Sequence, residues 1–177
     1  MRRFILTGTP GAGKTTILSA LKTRGLSVVE EAATDINARA LARGVAEPWM
    51  AQDFIDSIVD LQRRRQIEAS GGEVQIFDRS PVCTHALSLF LGRPPSKVLL
   101  AELERVGRER IYQTRVFFIE HLGFCTPTTV RRISFEDALK FEAVHEQSYS
   151  ALGYDLIRIG PASVEARVEA VLRHISG

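Results

Sequence analysis

The chain has 177 residues, 45% hydrophobic and 25% charged, with a formal net charge of +2. These values fit one soluble folded domain with a substantial core. No apolar run is long enough for a membrane span, and so small a charge gives no electrostatic case for nucleic acid.

Residues 3–7 read as a buried strand, and Gly8-Thr9-Pro10-Gly11-Ala12-Gly13-Lys14-Thr15 follows at once. This is G-x-x-x-x-G-K-[ST], the phosphate-binding loop or Walker A pattern. Its glycines allow backbone conformations closed to other residues, so the loop amides can turn toward phosphate oxygens. The helix expected over 13–24 adds partial positive charge at its N-terminus. Lys14 is placed to reach the β- and γ-phosphates and the Thr15 hydroxyl to meet Mg²⁺, with Thr16 next in the first helical turn.

Gly25 stops that helix, and Leu26 to Val29 form a short second strand that ends in Glu30-Glu31. Helices are expected over 34–44 and 49–69, the second with Met50, Phe54, Ile58 and Leu61 near helical spacing. Within it, Arg63-Arg64-Arg65 point different ways around the axis and read as a solvated face. Trp49 and Phe54 read as core packing rather than a ring-stacking pocket.

The third strand spans 73–77, with Asp78-Arg79-Ser80 directly after it. Ser80-Pro81 is a helix start, serine as N-cap and proline at the first helical position. That helix reaches Leu91, another covers 96–110, and a fourth strand lies at 115–119. A polar loop over roughly 121–133 carries Arg131-Arg132. Ser134-Phe135-Glu136-Asp137 resembles a capping box opening a helix to Leu152, with Gly153 at its stop. A fifth strand at 154–159 and a last helix at 163–175 complete the chain.

Alternating strands and helices predict an α/β fold, a five-stranded doubly wound parallel sheet with helices on both faces. Such sheets bind ligands at the carboxyl ends of their strands. Glu30, Glu31, Asp78, Arg79, Arg131 and Arg132 all fall there, beside the phosphate loop. Asp78 is suited to hold Mg²⁺ or to accept the proton of an attacking hydroxyl. Glu30 or Glu31 could hydrogen-bond or deprotonate a substrate hydroxyl, and the sequence leaves open which carboxylate is the base. Arg79 could grip a phosphate or pair with Glu30 or Glu31. Arg131 and Arg132 could close over the nucleotide as a lid. The four histidines lack zinc spacing. Cys83 and Cys125, in a chain whose first strand begins almost at once, point to reduced thiols and a cytoplasmic protein.

The phosphate loop, Phe77-Asp78-Arg79-Ser80 and the strand–helix order resemble the nucleoside and nucleotide kinase branch of the phosphate-loop superfamily. More narrowly, the chain resembles the small AAA-like ATPase/kinase domain family that includes ribosylnicotinamide kinase domains. The residues carrying this are Val29-Glu30-Glu31-Ala32-Ala33, Gln62, Arg131-Arg132-Ile133-Ser134, the stretch from Leu152 to Ile157, and that from Ser163 to Arg167. The resemblance implies strand order 2-3-1-4-5, ATP with Mg²⁺, a lid near 121–133, and phosphoryl transfer to a small-molecule acceptor. The Asp-Gly-Phe-Pro-Arg of adenylate kinases and the Asp-x-Asp of shikimate kinases are absent. A partner-regulated ATPase is the alternative; Asn-Lys-x-Asp, the guanine signature of GTP switches, does not occur. No nucleic acid or membrane partner is expected, and homodimerisation is left open.

Overall fold

The structure is a computed structural model that describes residues 1–9, 11–121 and 134–176. Five strands form one parallel sheet: β1 (Arg2–Gly8), β2 (Ser27–Val29), β3 (Val74–Asp78), β4 (Arg115–Ile119) and β5 (Asp155–Ile159). Their order is β2-β3-β1-β4-β5, the order implied by the family resemblance. The helices are α1 (Lys14–Thr23), α2 (Ala32–Ala42), α3 (Phe54–Glu68), α4 (Pro81–Phe90), α5 (Lys97–Arg108), α6 (Phe135–Ala151) and α7 (Val164–Ser176).

The side-chain alternation of β1 builds both halves of the core. Phe4 and Leu6 pack with Ile17 and Leu21 of α1 and Val168 and Val171 of α7. Ile5 faces the other way, into a cluster with Val82 and Cys83 of α4, Val106 of α5 and Tyr149 of α6. A strand buried on both faces needs this near-continuous apolar run. A third cluster joins Phe54, Ile58 and Leu61 of α3 to Leu99 of α5, with Trp49 against it, which is the packing role read from the sequence.

Four helices start on serine caps, with Ser163 before α7 accepting from the Ala166 amide at 3.2 Å. Ser80 accepts from the Val82 amide, Ser96 from Leu99 and Ser134 from Asp137. One expected boundary is corrected. Residues 49–69 are not one helix: Pro48–Met50 is a 3₁₀ turn, Ala51 is extended, and α3 begins at Phe54. Arg93 explains why the break persists. Its guanidinium takes the Ala51 carbonyl at 2.9 Å and that of Met50 at 3.1 Å, which supplies partners outside the helical ladder. Met50, counted in the helical period, is 65% exposed.

Because β1 lies between β3 and β4, its C-terminal end opens at the centre of the sheet edge. The ends of β2 and β3 lie to one side of it and that of β4 to the other. This crevice gathers the polar residues.

Candidate active site at the carboxyl edge of the sheet

The chain leaves β1 through Gly8 at φ 137°, and a Cβ there would stand 2.2 Å from the Ile119 carbonyl oxygen. Glycine is therefore required where the loop passes the end of β4. Gly11 and Gly13 are also left-handed, at φ 88° and 81°. Gly13 is the N-cap of α1, no side chain caps that end, and no acidic residue sits in its first turn. The amides and the helix dipole are thus left for an anion. Pro10 lies outside the described residues.

Three contacts hold this loop, one within it and two from elsewhere in the chain. Lys14, 7% exposed, donates to the Thr9 carbonyl at 2.9 Å. The Thr9 hydroxyl donates to Glu142 of α6 at 3.2 Å. Arg167 of α7 donates to the Ala12 carbonyl and to the Glu120 carbonyl after β4, each at 2.9 Å. Burial lowers the Arg167 pKa, and both carbonyls it serves sit at the edge of the crevice.

Across the loop lies an open cavity of about 420 Å³, lined among others by Thr15, Glu30, Glu31, Thr34, Asp35 and Asp78. The two glutamates, equivalent in the sequence, differ here. Glu30 is 75% exposed and 3.9 Å from Lys22 at the rim. Glu31 is turned inward and forms an ion pair of 2.5 Å with Arg79. Burial alone would raise the Glu31 pKa, but the charges of Arg79 and Lys14 bring it down and keep the carboxylate ionised.

Asp78 has the opposite fate. Burial, then the charge of Glu31, pushes its carboxyl up to about 6. Its Oδ1 is buried with no hydrogen-bond partner among the described residues. Ser80, not Asp78, caps α4, so helix capping does not account for this carboxylate. An orphaned hard oxygen on the same cavity as the Thr15 hydroxyl fits Mg²⁺, which takes few protein ligands and completes its shell with water and phosphate oxygens. Among the described residues there is no group of three or more metal-binding side chains.

Arg79 is left-handed at φ 71°, unusual for a residue with a Cβ, and its amide donates to the Leu6 carbonyl at 3.0 Å. The network behind it is buried. Tyr149 OH is 2.9 Å from both Ser80 Oγ and Cys83 Sγ, and Cys83 Sγ is 3.1 Å from Thr7 Oγ1. This ties β1, α4 and α6 under the Asp78–Arg79 turn. The Arg63-Arg64-Arg65 run is not simply a solvated face. Arg65 pairs with Asp35 and donates to the Glu30 carbonyl at 2.9 Å, bracing the β2–α2 turn.

Of the expected site residues, the loop from Gly8 to Thr16 (Pro10 apart), Glu30, Glu31, Asp78 and Arg79 lie together at this edge of the sheet. Arg131, Arg132 and the expected lid near 121–133, His121 apart, lie outside the described residues. Glu142, His145 and Arg167 were missed. Each comes from a helix remote in sequence; Arg167 closes a stretch that carries the family resemblance, but that stretch names no role for it. The available sign was weak: Phe141, His145 and Tyr149 recur every four residues along α6, a spacing that puts a histidine on the buried face.

A family model described as AAA domain matches residues 3–167. None of the curated protein sequences matches this chain. Among solved structures, a deoxyadenosine kinase from M. mycoides with dCMP and dCDP is similar at 14% identity and TM-score 0.61, over 98% of both chains. A thymidylate kinase from Candida albicans is similar at 12% identity and TM-score 0.57, over 99% of this chain and 91% of its own. A NadR protein in complex with NAD and AMP-PNP matches at 15% identity and TM-score 0.67, over 99% of this chain and 50% of its own. At such identities the likeness is one of fold.

Proposed function

We propose, for a chain that belongs to this AAA-domain family, an ATP-dependent phosphotransferase that moves the γ-phosphoryl group to the hydroxyl of a small acceptor such as a nucleoside or a related metabolite. The observation that carries this reading is the pairing of two unlike carboxylates on one cavity beside the phosphate loop. Glu31 is held ionised, and Asp78 has an orphaned oxygen on the cavity that Thr15 also lines. A loop that only bound nucleotide would have no need of the first.

In this reading the loop amides and Lys14 hold the donor phosphates, with Lys14 swinging from the Thr9 carbonyl onto phosphate oxygen. Thr15 and Asp78 would hold Mg²⁺, which neutralises charge on the transferring group. Glu31 orients the acceptor hydroxyl. A loose transition state acidifies that hydroxyl only as the new P–O bond forms, so a carboxylate of low pKa suffices to receive the proton. Arg79, paired with Glu31, steadies that carboxylate rather than gripping a phosphate. The lining also speaks to the acceptor. Glu30, Glu31, Asp35 and Asp78 face the cavity, with Lys22 as the cation among its lining residues. Like-charge repulsion there disfavours an acceptor that brings its own phosphate.

The test is ADP release from Mg-ATP alone and then with a panel of nucleosides, nucleoside monophosphates and hydroxylated metabolites, with Lys14→Ala as the control. Stimulation by one unphosphorylated compound, cut on the order of 10²- to 10³-fold by Lys14→Ala, is the expected result. Equal slow turnover with every compound and with water would replace the phosphotransferase by a partner-regulated ATPase.

A further inference from the structure

His145 of α6 has no accessible surface and no part in the steps above. Its two ring nitrogens are distinguishable. Nδ1 is 3.1 Å from the Phe141 carbonyl oxygen. That oxygen can only accept, so Nδ1 carries the hydrogen. Burial, then the Arg79 charge, brings the ring pKa down to about 3, so the imidazole is neutral. Nε2 therefore presents a lone pair, and it lies 3.3 Å from Nη1 of Arg79.

Arg79 is thus held from two sides, by Glu31 at its Nε edge and by His145 at Nη1. A guanidinium on a flexible stem would otherwise sample several rotamers, and the Glu31 carboxylate would move with it. Its backbone already occupies a left-handed conformation that its surroundings must maintain. One turn away on the same face of α6, Glu142 accepts from Thr9 of the phosphate loop. The helix that follows residues 122–133 therefore braces the donor loop and the acceptor carboxylate together.

We propose that His145 is a positioning residue: by accepting a hydrogen bond from Arg79 it fixes the guanidinium that presents Glu31 to the acceptor hydroxyl. The proposal rests on the phosphotransferase reading. A purely structural role is the competing account, since the His145 ring also packs edge-on against Phe141 at 4.2 Å between centroids.

Two substitutions separate these. His145→Gln keeps an acceptor within reach of Nη1, whereas His145→Leu keeps apolar bulk and removes it. The expected result for His145→Leu is a fall of about 10- to 100-fold in acceptor-dependent kcat, with KM for ATP within about twofold of the unsubstituted protein. His145→Gln should recover most of that loss. A readout free of turnover is the guanidinium N–H signal of Arg79 in ¹⁵N-arginine spectra, assigned by its disappearance in Arg79→Lys. It should be sharp and slow to exchange in the unsubstituted protein and in His145→Gln, and broadened in His145→Leu. Equal losses in both variants, or a loss confined to melting temperature and ATP affinity, would overturn the positioning role in favour of packing. An unchanged Arg79 signal in His145→Leu would overturn the contact itself. Absence of any acceptor-stimulated turnover in the unsubstituted protein would instead overturn the phosphotransferase reading, and with it the catalytic consequence of the contact.

Discussion

Asp78 shows how a single carboxylate can trade stability for a task. Its folded-state pKa of about 6 lies above the ordinary aspartate value of 3.8. Between those values the folded chain binds more protons than the unfolded chain, so stability falls as pH rises through this window and stays lower above it. Asp78→Asn removes the buried charge. It should raise the melting temperature at pH 7 to 8, with a gain on the order of 1–2 kcal/mol, and leave stability at pH 4 little changed. The same variant should lose acceptor-dependent turnover and weaken the Mg²⁺ requirement of nucleotide binding. Thermal melts at the two pH values beside a magnesium titration check both halves. Lower stability at pH 7 together with intact turnover would mean that the carboxylate serves only the fold. Glu31 has the opposite sign. Its depressed pKa contributes stability that is present above the ordinary carboxylate range and lost as acid protonates it.

At the scale of elements, the β1–loop–α1 unit depends on a single missing methyl. A Cβ on Gly8 would meet the Ile119 carbonyl oxygen at 2.2 Å, at a φ that side chains rarely adopt. Gly8→Ala must therefore push the start of the loop away from β4 or break the pairing of Gly8 with Ile119. We expect a loss of more than about 3 kcal/mol, read as a lowered denaturant midpoint, together with loss of ATP binding. A melting point within a degree of the parent would show that the loop has room to relax. Arg167 is the complementary clamp. Arg167→Met keeps the aliphatic stem but strands the Ala12 and Glu120 carbonyls, and should cost about 1–3 kcal/mol in chemical denaturation. It should also weaken ATP binding, because Ala12 lies in the loop itself.

For the molecule as a whole, the site is assembled from the ends of β1, β2 and β3 and from α6 and α7, so filling it should tighten the entire fold. Mg-ATP at about a hundred times its dissociation constant should add about 2.7 kcal/mol. For a chain of this size that corresponds to a rise in melting temperature on the order of 5–10 °C. Chelation of Mg²⁺ should remove most of the rise if Thr15 and Asp78 hold the ion. An equal rise with ATP and chelator would take the metal away from these two residues.

The amino-acid sequence carries the alternation of strands and helices, the phosphate loop, and the Ser80 and Ser134 caps, because these signals are local. Strand burial, glycine placement and capping are written in neighbouring residues. It also brought Glu30, Glu31, Asp78 and Arg79 to one edge, since ligands gather where parallel strands end. Packing in three dimensions settled the rest. It separated Glu31 from Glu30, because a carboxylate is selected by what lies opposite it, and Arg79 lies opposite Glu31 from another strand. It broke the expected 49–69 helix, because the Arg93 guanidinium takes carbonyls that local periodicity assigned to the ladder. It brought His145 and Arg167 to the site from helices at the far end of the chain. The hydrogen bonds that tie them to Arg79 and to Ala12 reach residues 66 and 155 positions away, and no window along a sequence contains both partners.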